Sequence, residues 1–279
     1  MVVKSYVQMA LSSSIPTHSW AFGKKALGHL YDCDSRLNPD RVGLDETELR
    51  KKLPCKKVGD LEQLWAPEAP QIAERPKEIY PNLYWKRSSP LKARGTFSHS
   101  SFDPDHPKKE LLPASVELRS NYSATVDFVS LFKKWCALYQ PDQGYLHYFT
   151  EPELANAPYV AVTIEQSLSK QLPPGAQGHD DWETFRMGSF GTLWNKKTFN
   201  LGVFSYFSST VLPEDAVDRL RADGFAVTRV GAGYFLELGA SLATVKEDFE
   251  TFSEGRHRAK LLVGLDLFEI RDEPEARCS

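Results

Sequence analysis

The chain has 279 residues, 41% of them apolar and 25% charged, with a formal net charge of −3. These values exclude a disordered, collagen-like or fibrous chain, and no run approaches the roughly 20 apolar residues that span a bilayer. The mild acidity argues against a general nucleic-acid binder. Length allows one large domain or two small ones, with ample chain for a buried core.

The first twenty residues, MVVKSYVQMALSSSIPTHSW, carry Lys4 but are interrupted by Ser5, Gln8 and Ser12–Ser14. No uninterrupted apolar stretch of a signal peptide forms there, so a cytoplasmic location is expected. Cys33, Cys55, Cys136 and Cys278 contain no C-x-x-C pair, and free thiols suit a reducing compartment. Residues 20–31 place Trp20, Ala21, Phe22, Ala26, Leu27, Leu30 and Tyr31 near one face at helical spacing, with Ser19 or Thr17 as cap. Asn38-Pro39 and Gly43 mark a loop. Short helices are predicted over 45–52 and 59–65, the second burying Leu61, Leu64 and Trp65. The Pro-rich stretch 66–110 reads as an ordered covering layer, with strands near Leu83–Trp85 and Gly95–Phe97.

The texture changes after Pro113. Ser115–Ser120 alternates as a strand does. Residues 126–139 form the strongest helix, with Val129, Phe132, Cys136 and Tyr139 on one face and Asp127 near its start. Gly144–Phe149 follows as a strand, 165–182 as a loop, and Phe185–Leu193 and Leu201–Phe207 as strands. Pro213 opens a helix that stops at Asp223-Gly224. Phe225–Val230 and Tyr234–Leu238 flank Gly231-Ala232-Gly233 as a hairpin, and 247–263 is a final helix turning Phe249, Phe252 and Leu262 inward. Strands and helices mix without β-α-β alternation, so the fold class is α+β: a mixed or antiparallel sheet with packed helices and an irregular N-terminal layer. The expected organisation is a covering region, 1–112, packed on a core, 113–279.

Charge follows that division. Residues 1–112 hold 18 Lys/Arg against 14 Asp/Glu, and residues 113–279 hold 16 against 23. The acidic groups cluster, most densely at Asp180, Asp181 and Glu183 and at Glu247, Asp248, Glu250 and Glu254. Such clusters are either solvated faces or a surface that attracts a basic protein. Trp182, set inside the first cluster, has the chemistry of a binding anchor.

Chemistry-bearing constellations are scarce. None of G-x-S-x-G, G-x-x-x-x-G-K-[ST], H-E-x-x-H or a well-placed G-x-G-x-x-G occurs, and no metal or cofactor set is expected. Gly231-Ala232-Gly233 is followed by the strand pattern Tyr234-Phe235-Leu236, unlike a dinucleotide loop. His179-Asp180-Asp181 could ligate a metal but sits in a polar loop. His147, between Tyr145 and Phe149, is expected to be a buried, hydrogen-bonded histidine, and Glu165, Asp127 and Glu237 are generic acid–base candidates.

Several segments together resemble a known family: WAFGKKALGHLYDCDSRLNP, LEQLWA, LYWKRSSPLKARGTFSH, SVELRSNYSATVDFVSLFKKWCALYQPDQGYLHYFTEPEL, FRMGSFGTLWNKKTFNLGVFSYF and FSEGRHRAKLLVGLDLF. They are similar to the α+β immunity proteins of bacterial polymorphic and type VI secretion toxin systems, especially those paired with restriction-endonuclease-like nuclease toxins. The resemblance implies a non-enzymatic toxin inhibitor that binds one cognate, basic nuclease domain in the producing cell, with no nucleic acid or membrane as partner. The partner surface expected is Asp180, Asp181, Trp182, Glu183, Glu247, Asp248, Glu250 and Glu254. The alternatives are an enzyme centred on His147, His179 or Glu165, and an adaptor of a secretion machine.

Overall fold

The computed structural model describes residues 5–50, 55–67, 80–102, 111–150, 198, 200–268 and 273. Eleven strands are present among them: β1 (Tyr6–Ser13), β2 (Arg41–Gly43), β3 (Leu83–Arg87), β4 (Ala93–Ser98), β5 (Ser101–Phe102), β6 (Leu111–Leu112), β7 (Ala114–Ser120), β8 (Gln143–Phe149), β9 (Phe204–Ser208), β10 (Ala226–Val230) and β11 (Gly233–Glu237). The α-helices are α1 (Trp20–Cys33), α2 (Phe128–Tyr139), α3 (Glu214–Ala222), α4 (Thr244–Glu247) and α5 (Phe249–Val263). Nine strands follow the hydrogen-bonded order β10-β11-β9-β8-β1-β7-β4-β3-β2, and β5 pairs with β6. The pairs β2–β3, β3–β4, β4–β7, β8–β9 and β9–β11 are antiparallel, so the class is α+β with an antiparallel sheet.

By contact, the chain falls into two units, one of residues 1–8, 143–229 and 233–279, the other of residues 9–142 and 230–232. In the second unit, β7 buries Ala114, Val116, Leu118 and Ser120 by strict alternation. Its register against β4 places Val116 opposite Phe97 and Leu118 opposite Gly95. Two helices complete this unit. Asp127 caps α2 by accepting from Ser130 N at 2.9 Å, and Phe128, Leu131, Phe132, Trp135, Cys136 and Tyr139 form the buried stripe. Val129 is only half-buried and lines an open groove on the outer side with Lys133, Lys134 and Ala137. The helix therefore buries a wider stripe than Val129, Phe132, Cys136 and Tyr139, displaced from Val129 toward Leu131 and Trp135.

Ser19 caps α1, accepting from Phe22 N. Trp135 Nε1 donates to Ala26 O at 2.9 Å, tying the two helices together, and Phe22 meets Tyr139 edge-on. The segments expected as helices over 45–52 and 59–65 are 3-10 turns, Glu46–Arg50 and Val58–Leu64.

In the first unit, β9 pairs with β8 and β11, setting Phe207 between Gln143 and Tyr234. Phe207, Leu212, Val217, Leu220, Tyr234, Leu236, Ala259 and Phe268 are part of one apolar core under α3 and α5. Pro213 caps α3, Glu214 accepts a hydrogen bond from the Tyr234 hydroxyl, and Arg219 Nε donates to Leu262 O at 2.8 Å. Gly231 turns the β10–β11 connection at φ 58°, the left-handed conformation that glycine adopts without steric cost. Gly231-Ala232-Gly233 is thus a hairpin turn.

Candidate functional site

The last long helix carries two chemically opposite faces. Asp248 occupies its N-cap and accepts from Thr251 N at 3.0 Å. Hydrogen bonds from Thr251 hold the Asp248 carboxyl below its ordinary range. Glu247, Asp248, Glu250 and Glu254 are all exposed. Along the outer side of α5, Glu250, Glu254, His257 and Leu261 recur at helical spacing, and Leu261 is 53% exposed, an exposed large hydrophobic residue among the described residues. Arg258 is committed elsewhere: it pairs with Asp223 at 2.6 Å and covers the Phe225 ring.

The inner side of α5 is not the apolar stripe expected. Phe252 is buried, but Phe249 and Leu262 are only half-buried, and the remaining buried positions are Ser253, Arg256, Ala259 and Lys260. Arg256 is 1% exposed and Lys260 is fully buried. Both meet Glu273: Arg256 Nε donates at 2.8 Å and Nη2 lies at 2.6 Å from one carboxylate oxygen, while Lys260 pairs with the other. Ser253 Oγ also donates to Glu273, at 3.0 Å. The Arg256 guanidinium lies 4.9 Å from the Phe252 ring centroid.

His147 faces the same neighbourhood. Gln143, Tyr145, His147 and Phe149 share one side of β8, and the His147 ring stands edge-on to Phe149 at 4.8 Å and tilted against Phe252 at 5.7 Å. The imidazole is fully buried, as expected from its place in the strand.

A second polar centre lies in the other unit. His99, 5% exposed, shares a 3.2 Å hydrogen bond between its Nδ1 and Thr17 Oγ1. Trp65 packs edge-on against it and donates Nε1 to Thr17 O. Tyr80 contacts His99 edge-on and stacks on His18. Burial, and then the nearby His18, lower the His99 pKa to about 4.

Of the partner-binding residues expected from sequence, Glu247, Asp248, Glu250 and Glu254 come together around the start of α5. Asp180, Asp181, Trp182 and Glu183 lie outside the described residues, as do His179 and Glu165. Asp127 is a helix cap, and Glu237 ends β11 opposite Phe204. The Ser253–Arg256–Lys260–Glu273 cluster was missed because Arg and Lys read as solvent-facing; their spacing with Phe252 and Ala259 was the available signal. Among the described residues, no group of three or more His, Cys, Asp or Glu is arranged to hold a metal, and no helix is long and apolar enough to cross a membrane.

No protein-family model and no curated protein matches the chain. Among solved structures it is similar to the Pseudomonas aeruginosa T6SS protein PA0821, at 13% identity and a TM-score of 0.47, over 93% of this chain and 72% of that one.

Proposed function

We propose that this protein is an immunity protein: it binds a cognate, basic nuclease toxin of a secretion system in the producing cell and neutralises it without turnover. The observation that carries the reading is the outer face of α5, where Glu250 and Glu254 lead to the exposed Leu261 and Glu247 and Asp248 add charge at the helix start. A nuclease must present positive potential to hold its polyanionic substrate. A carboxylate stripe attracts such a surface and speeds encounter, while an exposed leucine supplies the apolar contact that slows release.

Two further features support the reading. Among the described residues, the segments on which the resemblance was read include α1, β7, α2, β8 and most of α5, elements of the ordered framework. His147, one of the three residues offered for an enzyme reading beside His179 and Glu165, is fully buried against Phe149 and Phe252, the setting of a core histidine.

Co-expression with the product of the neighbouring gene, first shown to arrest growth when expressed alone, tests the proposal. Restored growth together with co-purification of the two chains is the expected result. Growth arrest despite soluble expression of both would contradict it.

A further inference from the structure

Strand β10 stands at one end of the nine-strand order, with β11 on its inner side. Leu238 N donates to Val203 O at 2.8 Å, one step beyond the register that pairs Glu237 with Phe204. Tyr234, Leu236 and Leu238 therefore direct their backbone groups to β9, and the alternate residues Phe235 and Glu237 direct theirs to β10. The two-residue connection between the strands sets Thr228 opposite Phe235 and Ala226 opposite Glu237. Val227 and Arg229 then turn their N–H and C=O groups to the free edge. A separate contact agrees. Arg221, in the last turn of α3, donates through Nε and Nη2 to Val227 O, each at 3.3 Å, so that carbonyl points out of the ladder. The other outward groups, Val227 N–H and Arg229 N–H and C=O, have no hydrogen-bond partner among the described residues. Ala226, Thr228 and Arg229 are exposed.

This edge is complementary to itself. In an antiparallel pair of β10 strands centred on Thr228, Val227 of one copy faces Arg229 of the other. Each such position forms a reciprocal pair of N–H to C=O bonds, and no two arginines stand directly opposite. A twofold axis satisfies both copies at once. Only Val227 O is taken, and a side-chain cation at a strand edge is a known obstacle to edge-to-edge pairing. We propose that the free edge of β10 is a latent pairing surface for a second copy of this chain, and that Arg221 keeps it closed by occupying Val227 O. The inference needs no toxin and stands apart from the α5 carboxylates.

Sedimentation velocity over a hundredfold range of concentration tests it on the full chain. Arg221→Met keeps the aliphatic stem and removes both donors. It should dimerise at least tenfold more strongly than the parent, while Arg219→Ala, which leaves Val227 O covered, should match the parent. Arg221→Met/Arg229→Pro should be monomeric again, because proline removes an outward N–H that the fold itself does not use. A parent that dimerises as strongly as Arg221→Met, an Arg221→Met that stays monomeric, or a double variant that still dimerises would overturn the proposal. If Arg221→Met does not fold, Arg221→Gln, with one donor group in place of two, carries the same expectations. Amide exchange of the parent requires no variant: Thr228 N–H should be protected and the Val227 and Arg229 N–H groups open. Protection of both outward amides in the monomer would mean that the edge is already covered, and would overturn it too.

Discussion

Burial lowers the His99 pKa to about 4 from its ordinary 6.5, with His18 adding to the effect. The unfolded chain therefore takes up this proton first as pH falls. The stabilisation is fully present above about pH 6.5 and declines between about 6.5 and 4, by ~3 kcal/mol in total. Urea midpoints across that window should fall with acidity in the parent and flatten in His99→Gln; identical slopes would remove His99 as the cause. Phe132, fully buried on α2, should cost roughly 3–5 kcal/mol as Phe132→Ala, read from the same denaturation curves. At His147 the polar edge of the ring sits among Phe149 and Phe252, so His147→Gln should lower the unfolding midpoint. The aromatic and apolar flanks of His147 made its burial legible in sequence. Nothing local to His99 did so, because Thr17, Trp65 and Tyr80 reach it from distant segments.

Among the elements, α2 was the most legible in extent, since its apolar spacing and Asp127 mark its start, although the buried stripe is displaced from Val129 toward Leu131 and Trp135. Asp127→Ala should cost about 1 kcal/mol through loss of the hydrogen bond to Ser130 N. The alternating strand β7 and the hairpin of β10 and β11 were equally plain, the one from its period of two and the other from its glycines. β1 was not legible: nearly every residue from Tyr6 to Ser13 is buried, and a strand covered on both sides loses the alternation that would announce it. The last helix was legible in extent but not in polarity. Arg256 and Lys260 occupy its inner stripe because Glu273, remote in sequence and not apolar, supplies their counter-charge. The 3-10 turns at Glu46–Arg50 and Val58–Leu64 show a similar limit: periodicity located both segments but not their tighter winding, and only the first is shorter than expected. Gly23 on α1 illustrates how closely such turns are held: a Cβ there would overlap the Trp65 ring that follows the second turn. Gly23→Ala should lower the thermal midpoint despite its better helix propensity, and an unchanged or raised midpoint would mean that Trp65 can move aside.

For the whole molecule, the change of texture near Pro113 does not mark a change of packing partner, because β7 pairs with β4 from the N-terminal side. The charge difference is a separate matter: the surplus of acidic residues beyond position 113 is visible in the sequence, while the structure shows which of them share a face. It also separates roles within the cluster. Asp248 holds the start of α5 and belongs to the fold, whereas Glu247, Glu250 and Glu254 are exposed and have no such capping role; they are the carboxylates that the proposed function assigns to a basic partner. The direct measurement is the association rate with the purified toxin domain at two ionic strengths, for the parent and for Glu247→Lys/Glu250→Lys/Glu254→Lys, with Leu261→Ala alongside. The account predicts that the triple reversal slows association by roughly tenfold or more at low salt and removes its salt dependence, while Leu261→Ala acts on dissociation. An association rate unchanged by the triple reversal at low salt would contradict it.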